Sequence, residues 1–178
     1  MEPVVARGLC IRPFQKGDGP AFVAAALESL ATVGVWMPWC HAKFSIADAE
    51  AWFDSCQRNL DAQVAYDVGL FSATDGELLG GISINQLNRV HNFGNIGYWV
   101  RQTRQRQGIA SRAVLSISEF GFGRLGLTRL EIVVAEGNGP SRRVAQKAGA
   151  TFEAVVRNRL LMRGTPRSAA VYSLVPGA

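Results

Sequence analysis

The sequence predicts a mixed α/β fold, one sheet with helices on both faces, held in a single domain over residues 1–178. Two observations carry that prediction. Strand-like runs alternate with runs of helical spacing in the order β-α-α-β-β-β-α-β-α-β-β, which suits a sheet covered on both sides. With 48% hydrophobic and 19% charged residues, a chain of 178 has the balance of an ordinary globular protein and can bury a substantial core.

The first strand covers residues 9–14, closed by Pro13 and the turn-like Gly17-Asp18-Gly19. Asp18 is placed to cap a helix over residues 20–32, with Pro20 near its first position and Phe22, Ala25, Ala26 and Leu30 on its apolar face. Glycine and then Trp36-Met37-Pro38-Trp39-Cys40-His41 break that helix. Ser45-Ile46-Ala47-Asp48 is a near capping box, with Asp for the usual Glu or Gln, and opens a helix that buries Ala49, Trp52, Phe53, Cys56 and Leu60. Strands over residues 64–73 and 77–87 follow, joined by Thr74-Asp75-Gly76, where Asp-Gly is a tight-turn signal. Residues 89–92 make a second turn.

The chain is organised around what comes next. Residues 93–100 are apolar and aromatic, and Tyr98, Trp99 and Val100 give them strand character. A basic loop with Arg101, Arg104 and Arg106 leads to Gly108, and then Ile109, Ala113, Val114, Ile117 and Phe120 fall on one helical face. A helix start carries unpaired N–H groups and a partial positive charge, so cations crowded there, Arg112 included, disfavour the protein unless a polyanion sits among them. Gly108 lets backbone approach a phosphate closely. The stretch reads as a phosphate cradle.

Gly121-Phe-Gly-Arg-Leu-Gly126 has the spacing of a dinucleotide fingerprint but closes a helix instead of opening one, so that reading is rejected and Gly126 is a helix C-cap. A strand over residues 129–135 ends at a turn where Asn138 caps a helix reaching Lys147, with Pro140 in its first turn. Residues 151–161 and 167–175 form a hairpin about Arg163-Gly164-Thr165-Pro166.

Gln105-Arg106-Gln107-Gly108-Ile109-Ala110 resembles the Gln/Arg-x-x-Gly-x-Gly/Ala signature of the GNAT N-acetyltransferases. Gly97-Tyr98-Trp99 before it and Asn138-x-x-Ser141 after it resemble the Rim-type branch, which contains ribosomal-protein N-terminal acetyltransferases. The resemblance covers almost the whole chain. It implies a central twisted, mostly antiparallel sheet of about seven strands, and transfer of acetyl from acetyl-CoA to an amine in a ternary complex. It also implies a cofactor site: Gln105, Arg106, Gln107, Gly108, Ile109, Ala110 and Ser111 on the pyrophosphate, and the strand edge of Tyr98, Trp99 and Val100 on the pantetheine arm. That edge is free only if the strand over residues 129–135 splays away. Asn138 is a cofactor contact or a plain cap, and Arg142 repeats the anomaly of a cation in a helix's first turn.

By the same resemblance Ser141 protonates the departing thiolate and a backbone N–H near Val100 holds the oxyanion. Relatives carry a Glu where this chain has Asn95, and Asn accepts no proton. His41 is the substitute to test, against its reading as an ordinary surface histidine; Glu119, Glu131, Glu136 and Glu153 are not singled out by spacing. Trp36, Trp39 and Asn95 are the candidates for contacts to the acceptor, with core packing the alternative for the tryptophans. An α-amine of pKa near ~8 is about a tenth neutral at pH 7, which favours a protein N-terminus over a lysine. A small amine such as an antibiotic or polyamine is the next choice, and a non-catalytic acyl-CoA sensor is the rival of another class.

A net charge of +5 suits an anionic partner, and without a basic stripe and exposed aromatics that partner is a cofactor and not nucleic acid. Cys10, Cys40 and Cys56 form no metal-ligand spacing, and with only two histidines no metal site is expected. With no apolar signal segment or membrane-length run, the expectation is a cytoplasmic protein away from the membrane. A homodimer is what the resemblance suggests.

Overall fold

The computed structural model describes residues 1–177. Strands β1 (Val4–Ala6), β2 (Leu9–Arg12), β3 (Tyr66–Ser72), β4 (Leu78–Asn88), β5 (Phe93–Val100), β6 (Arg129–Ala135), β7 (Thr151–Met162) and β8 (Thr165–Leu174) form one sheet, in the order β1-β2-β3-β4-β5-β6-β8-β7. Every neighbouring pair is antiparallel except β5 and β6. The sheet has eight strands where about seven were expected; β1, three residues long, is too short to show a periodicity.

Four helices cover the two faces: α1 (Gly19–Glu28) and α2 (Ile46–Asp61) on one, α3 (Ile109–Gly123) and α4 (Gly139–Lys147) on the other. Side chains alternate along each strand, so β5 sends Ile96, Tyr98 and Val100 toward α3 and Trp99 toward α1. The larger core joins Ile82, Ile84, Ile96, Ile117, Leu130, Ile132 and Tyr172 under α3 and α4. A second core of Phe22, Ala26, Phe44, Phe53, Phe71 and Leu78 lies under α1 and α2.

Local signals placed most element ends. Ser45 and Asp48 make the expected capping box. Asn138 caps α4 by accepting from the Ser141 N–H at 3.2 Å. Gly126 is left-handed at φ 65° just past α3, where the Leu127 N–H returns to the Gly121 carbonyl. Three expectations are corrected. Trp52, expected among the buried residues of the second helix, is 41% exposed. The first helix stops at Glu28, because the N–H groups of Thr32, Val33 and Gly34 all converge on the Ser29 carbonyl and wind the chain into a turn. Asp18 does not cap that helix; its carboxylate forks onto Arg12 at 2.7 and 2.8 Å and accepts the Gln15 N–H.

One close approach fixes the centre of the sheet. Gly80 on β4 has φ 154°, and a Cβ there would lie 2.1 Å from the Trp99 carbonyl oxygen of β5. Gly80→Ala should therefore lower stability by about 3 kcal/mol or more, read from urea unfolding. Gly76→Ala, left-handed at φ 73° but in open space, should cost only about 1 kcal/mol.

Candidate active site

The site is built on the parting of β5 and β6. They pair over three residues only, Phe93 to Asn95 with Arg129 to Glu131. From Ile96 onward β5 is bonded only to β4, while β6 continues against β8. The Arg101 N–H donates to the Leu79 carbonyl, which fixes the alternation: odd-numbered β5 residues bond toward β4 and even-numbered ones face the gap. Tyr98 and Val100 thus turn backbone groups into the opening, and the Val100 carbonyl is taken by the Gln105 amide at 2.9 Å. The expected splay is present.

Beyond the gap stands the start of α3. Gly108 is its N-cap with φ 71°, Arg106 is also left-handed at φ 63°, and no side chain caps the helix. A left-handed residue among right-handed ones turns successive N–H groups to one side, a concave anion site. A Cβ on Gly108 would meet nothing nearer than Ser111 Oγ at 3.9 Å, so the cradle is open. Ile109 is buried and anchors the helix, while Ser111 turns its hydroxyl onto the Gly108 carbonyl. Gln105 commits its amide N–H groups inward to Val100 and Thr32, so its N–H donor for a phosphate is the backbone one. Gln107 is exposed and Ala110 half-buried.

The basic loop is less free than its sequence implies. Arg101 is bound by Glu28 at 2.6 Å and Glu77 at 3.1 Å, and Arg104 by Glu77 at 2.6 Å. Arg112 donates to the Arg7 carbonyl. Among the described residues only Arg106 of the loop's three arginines lacks an ion pair. The premise that this crowding requires an anionic guest is thereby corrected, since carboxylates distant in sequence neutralise two of its members. The backbone geometry remains.

On the α4 side, the Tyr98 hydroxyl lies 2.9 Å from Ser141 Oγ and 3.0 Å from the Ser141 carbonyl. Burial pushes the Tyr98 pKa up to about 12, with the Ser141 bond pulling the other way, so the phenol stays protonated. Arg142 donates to the Tyr172 hydroxyl at 3.1 Å and stands over Phe152, which accounts for this cation without an anion. Asn138 acts as the cap. The Tyr98 side chain was missed in the sequence, because only the folded register brings it to Ser141.

On the other face a pocket of about 640 Å³ opens between the sheet and α2. Trp39, Phe44, Trp52 and Trp99 line it, with His41 and Asp48 at its polar edge and Asp67, Ser83 and Asn85 on its floor. Trp39 and Trp99 meet edge to face at 5.2 Å. Trp36 does not line this pocket; its ring tip lies 3.8 Å from where a Cβ on Gly137 would be. His41 is exposed and packs against Phe44. Asn95 lies behind the floor, donating to Asn85 at 2.9 Å, with its own Oδ1 buried and unpartnered among the described residues.

Comparison with known proteins places this splayed sheet and open helix start in a family. The acetyltransferase (GNAT) domain family matches residues 8–151, and the chain belongs to that family. It is 36% identical over 99 residues to the uncharacterized N-acetyltransferase YoaA of Bacillus subtilis, covering 56% of each protein. The chain spans little more than half the length of the curated relatives it matches. A protein from Vibrio cholerae assigned as a ribosomal-protein-serine acetyltransferase superposes with TM-score 0.88 at 32% identity, over 98% of both chains. RimL, a ribosomal L7/L12 α-N-protein acetyltransferase solved with coenzyme A, shares the fold at TM-score 0.87 and 20% identity, again over 98% of each chain. Among the described residues no helix is long and apolar enough to cross a membrane.

Glu28 carries a pH signature. The Arg101 bond holds its carboxyl down from 4.5 to about 2. Its contribution to stability is full above the unfolded value and is lost as pH falls toward the folded one. Thermal melts should show Glu28→Gln flattening the loss of stability between pH 4.5 and about 2, since it removes this carboxylate.

Proposed function

We propose that this protein is an acetyl-CoA-dependent N-acetyltransferase that acetylates a primary amine, a protein N-terminal α-amine foremost. The observation that carries the reading is the splayed edge of β5 beside the uncapped, glycine-led start of α3. The edge suits the amide-bearing pantetheine arm, and the helix start suits a pyrophosphate. Residues 105–111 hold the pyrophosphate through backbone N–H groups, with Arg106 the cation free to join them. Acetyl-CoA supplies an activated thioester. The chain aligns it with the amine that enters from the aromatic pocket on the opposite face.

Two protons and one negative charge must be managed. A backbone N–H of the β5 edge near Val100 faces the gap and stabilises the oxyanion. The Tyr98 hydroxyl, which donates to the Ser141 carbonyl and lies 2.9 Å from Ser141 Oγ, holds Ser141 in place, and Ser141 passes its own proton to the leaving thiolate. Asn95 has no proton-accepting group.

The α-amine is favoured because it is neutral to about a tenth near pH 7, whereas a lysine is neutral to about one part in a thousand. The pocket has exposed residues at its mouth, Trp52 and His41 among them, so an extended chain can lie across it. Peptides with free N-termini should release thiol from acetyl-CoA, and the same peptides blocked at the α-amine should not. Tight coenzyme A binding with no turnover on any amine would mark a sensor instead. Ser141→Ala should lower kcat about 10²-fold with coenzyme A affinity unchanged. Gly108→Glu should abolish coenzyme A binding in calorimetry, by bulk and charge repulsion, while the far-ultraviolet circular dichroism stays native.

A further inference from the structure

The floor of the aromatic pocket carries a connected polar row that the cofactor side does not use. Across the sheet Asp67 of β3 stands opposite Ser83 of β4, Ser83 opposite Gly97 of β5, and Asn85 opposite Asn95. Asn95 Nδ2 donates to Asn85 Oδ1 at 2.9 Å, and Asn85 Nδ2 donates to Ser83 Oγ at 2.9 Å. The Ser83 hydroxyl has thus accepted one bond, and the Asp67 carboxylate is its cross-strand neighbour on β3. Both bonds of the row point toward Ser83. At the other end Gly97 opens the row to the reacting strand: a Cβ there would stand 3.0 Å from Ser83 Oγ. With none, the hydroxyl is reachable from the β5 edge next to Tyr98.

Asp67 is half-buried, and among the described residues no ion pair includes it. The titratable groups that face it or share its pocket are Cys56 from α2, whose thiol is pushed up by burial and then by Asp67 itself, Asp48 and His41 at the mouth, and Tyr98, whose hydroxyl is held by Ser141. Among the described residues no Lys or Arg lines the pocket. A carboxylate withdrawn from water without a counter-charge is costly, and a cation entering the pocket would relieve that cost. Burial also pushes the Asp67 pKa up, with the Ser83 hydroxyl offsetting part of the rise, so this carboxylate holds a proton more readily than an exposed one.

We propose that the Asp67–Ser83 pair receives the acceptor's ammonium group and takes the proton that it must lose before attack. The assignment rests on the acetyl-transfer reading. The ammonium N–H bond breaks as Ser83 Oγ accepts that proton and its own passes to Asp67. The freed lone pair forms the C–N bond to the acetyl carbon. The C–S bond then breaks as Ser141 delivers its proton to the thiolate, and the nitrogen's second proton passes to Ser141 and restores its hydroxyl. Asp67 releases its proton to solvent at the pocket mouth. One ammonium and one thioester give one amide, one thiol and one proton. The carboxylate that Asn95 cannot supply is thereby found two strands away, at the far end of the row that Asn95 begins. A carboxylate of modest basicity serves an ammonium near ~8 far better than one near ~10.4, so the pair selects α-amines over lysine side chains.

The test uses the full chain, a peptide with a free α-amine, and the variants Asp67→Asn, Asp67→Glu and Ser83→Ala. Turnover by the wild type is read first, because its absence overturns the acetyl-transfer reading and this assignment with it. Given turnover, Asp67→Asn should lower kcat/KM about 10²-fold near pH 7, and the deficit should shrink toward pH 9 as the free amine needs no base. Asp67→Glu should restore most of the rate, and Ser83→Ala should lower it. Binding of the peptide alone, followed by calorimetry without acetyl-CoA, should weaken about tenfold in Asp67→Asn while coenzyme A affinity holds. Equal rates, pH profiles and peptide affinities in wild type and Asp67→Asn would overturn the assignment while leaving acetyl transfer intact. If Asp67→Asn does not fold, a wild-type rate and pH profile in Ser83→Ala overturns it equally.

Discussion

The arrangement depends on keeping two neighbouring parallel strands apart. Strands β5 and β6 are bonded for three residues and then separate, although continued pairing would satisfy the backbone groups that the gap leaves open. Each strand is held from its outer side. At the end of β5, Arg101 is clamped by Glu28 of α1 and Glu77 just before β4, and its N–H is bonded to Leu79. On β6, Arg129 joins Glu131 to Glu153 of β7, and Glu153 in turn accepts from Ser173 of β8. The Tyr98–Ser141 contact then bridges the gap through α4 at one place.

This constraint gives the arginines of the central loop two separate jobs. Arg101 and Arg104 fasten the loop that joins β5 to α3, so the helix start is presented in one orientation. Arg106 stays unpaired in a left-handed conformation, and together with Gly108 it shapes the concave backbone. Anion affinity therefore rests on ordered N–H groups first and on side-chain charge second. The opposite face, with its aromatic walls and polar floor, meets this cradle only through the thickness of β5. A short strand is thus the partition between the donor side and the acceptor side.

How much of this was legible in the sequence follows from how local each feature is. The Ser45–Asp48 box, the Asp75-Gly76 turn, the Asn138–Pro140 helix start and the passage from Gly108 into a helix at Ile109 are each set by residues within a turn of one another, and all stand as expected. Features set by residues far apart in the chain were not legible. The ion pairs of Arg101 and Arg104 with Glu28 and Glu77 cross 24 to 73 residues, so the loop looked more strongly charged than it is. The Tyr98–Ser141 contact, and the row from Asn95 to Asp67, exist only once the strand register is known. Asp67 has an apolar strand for its sequence neighbourhood and no motif to mark it. Trp36 and Trp39 are three residues apart, yet only the second reaches the pocket, because the turn between them faces them in different directions.

Amide hydrogen exchange, followed residue by residue with and without coenzyme A, tests the central claim most directly. Bound coenzyme A should slow exchange at Tyr98 and Val100 on the open edge of β5 and at residues 107–111 where α3 begins, with Leu79 to Ser83 unaffected because their partners are already in the sheet. Slowed exchange elsewhere on the protein, with these amides unchanged, would contradict the account.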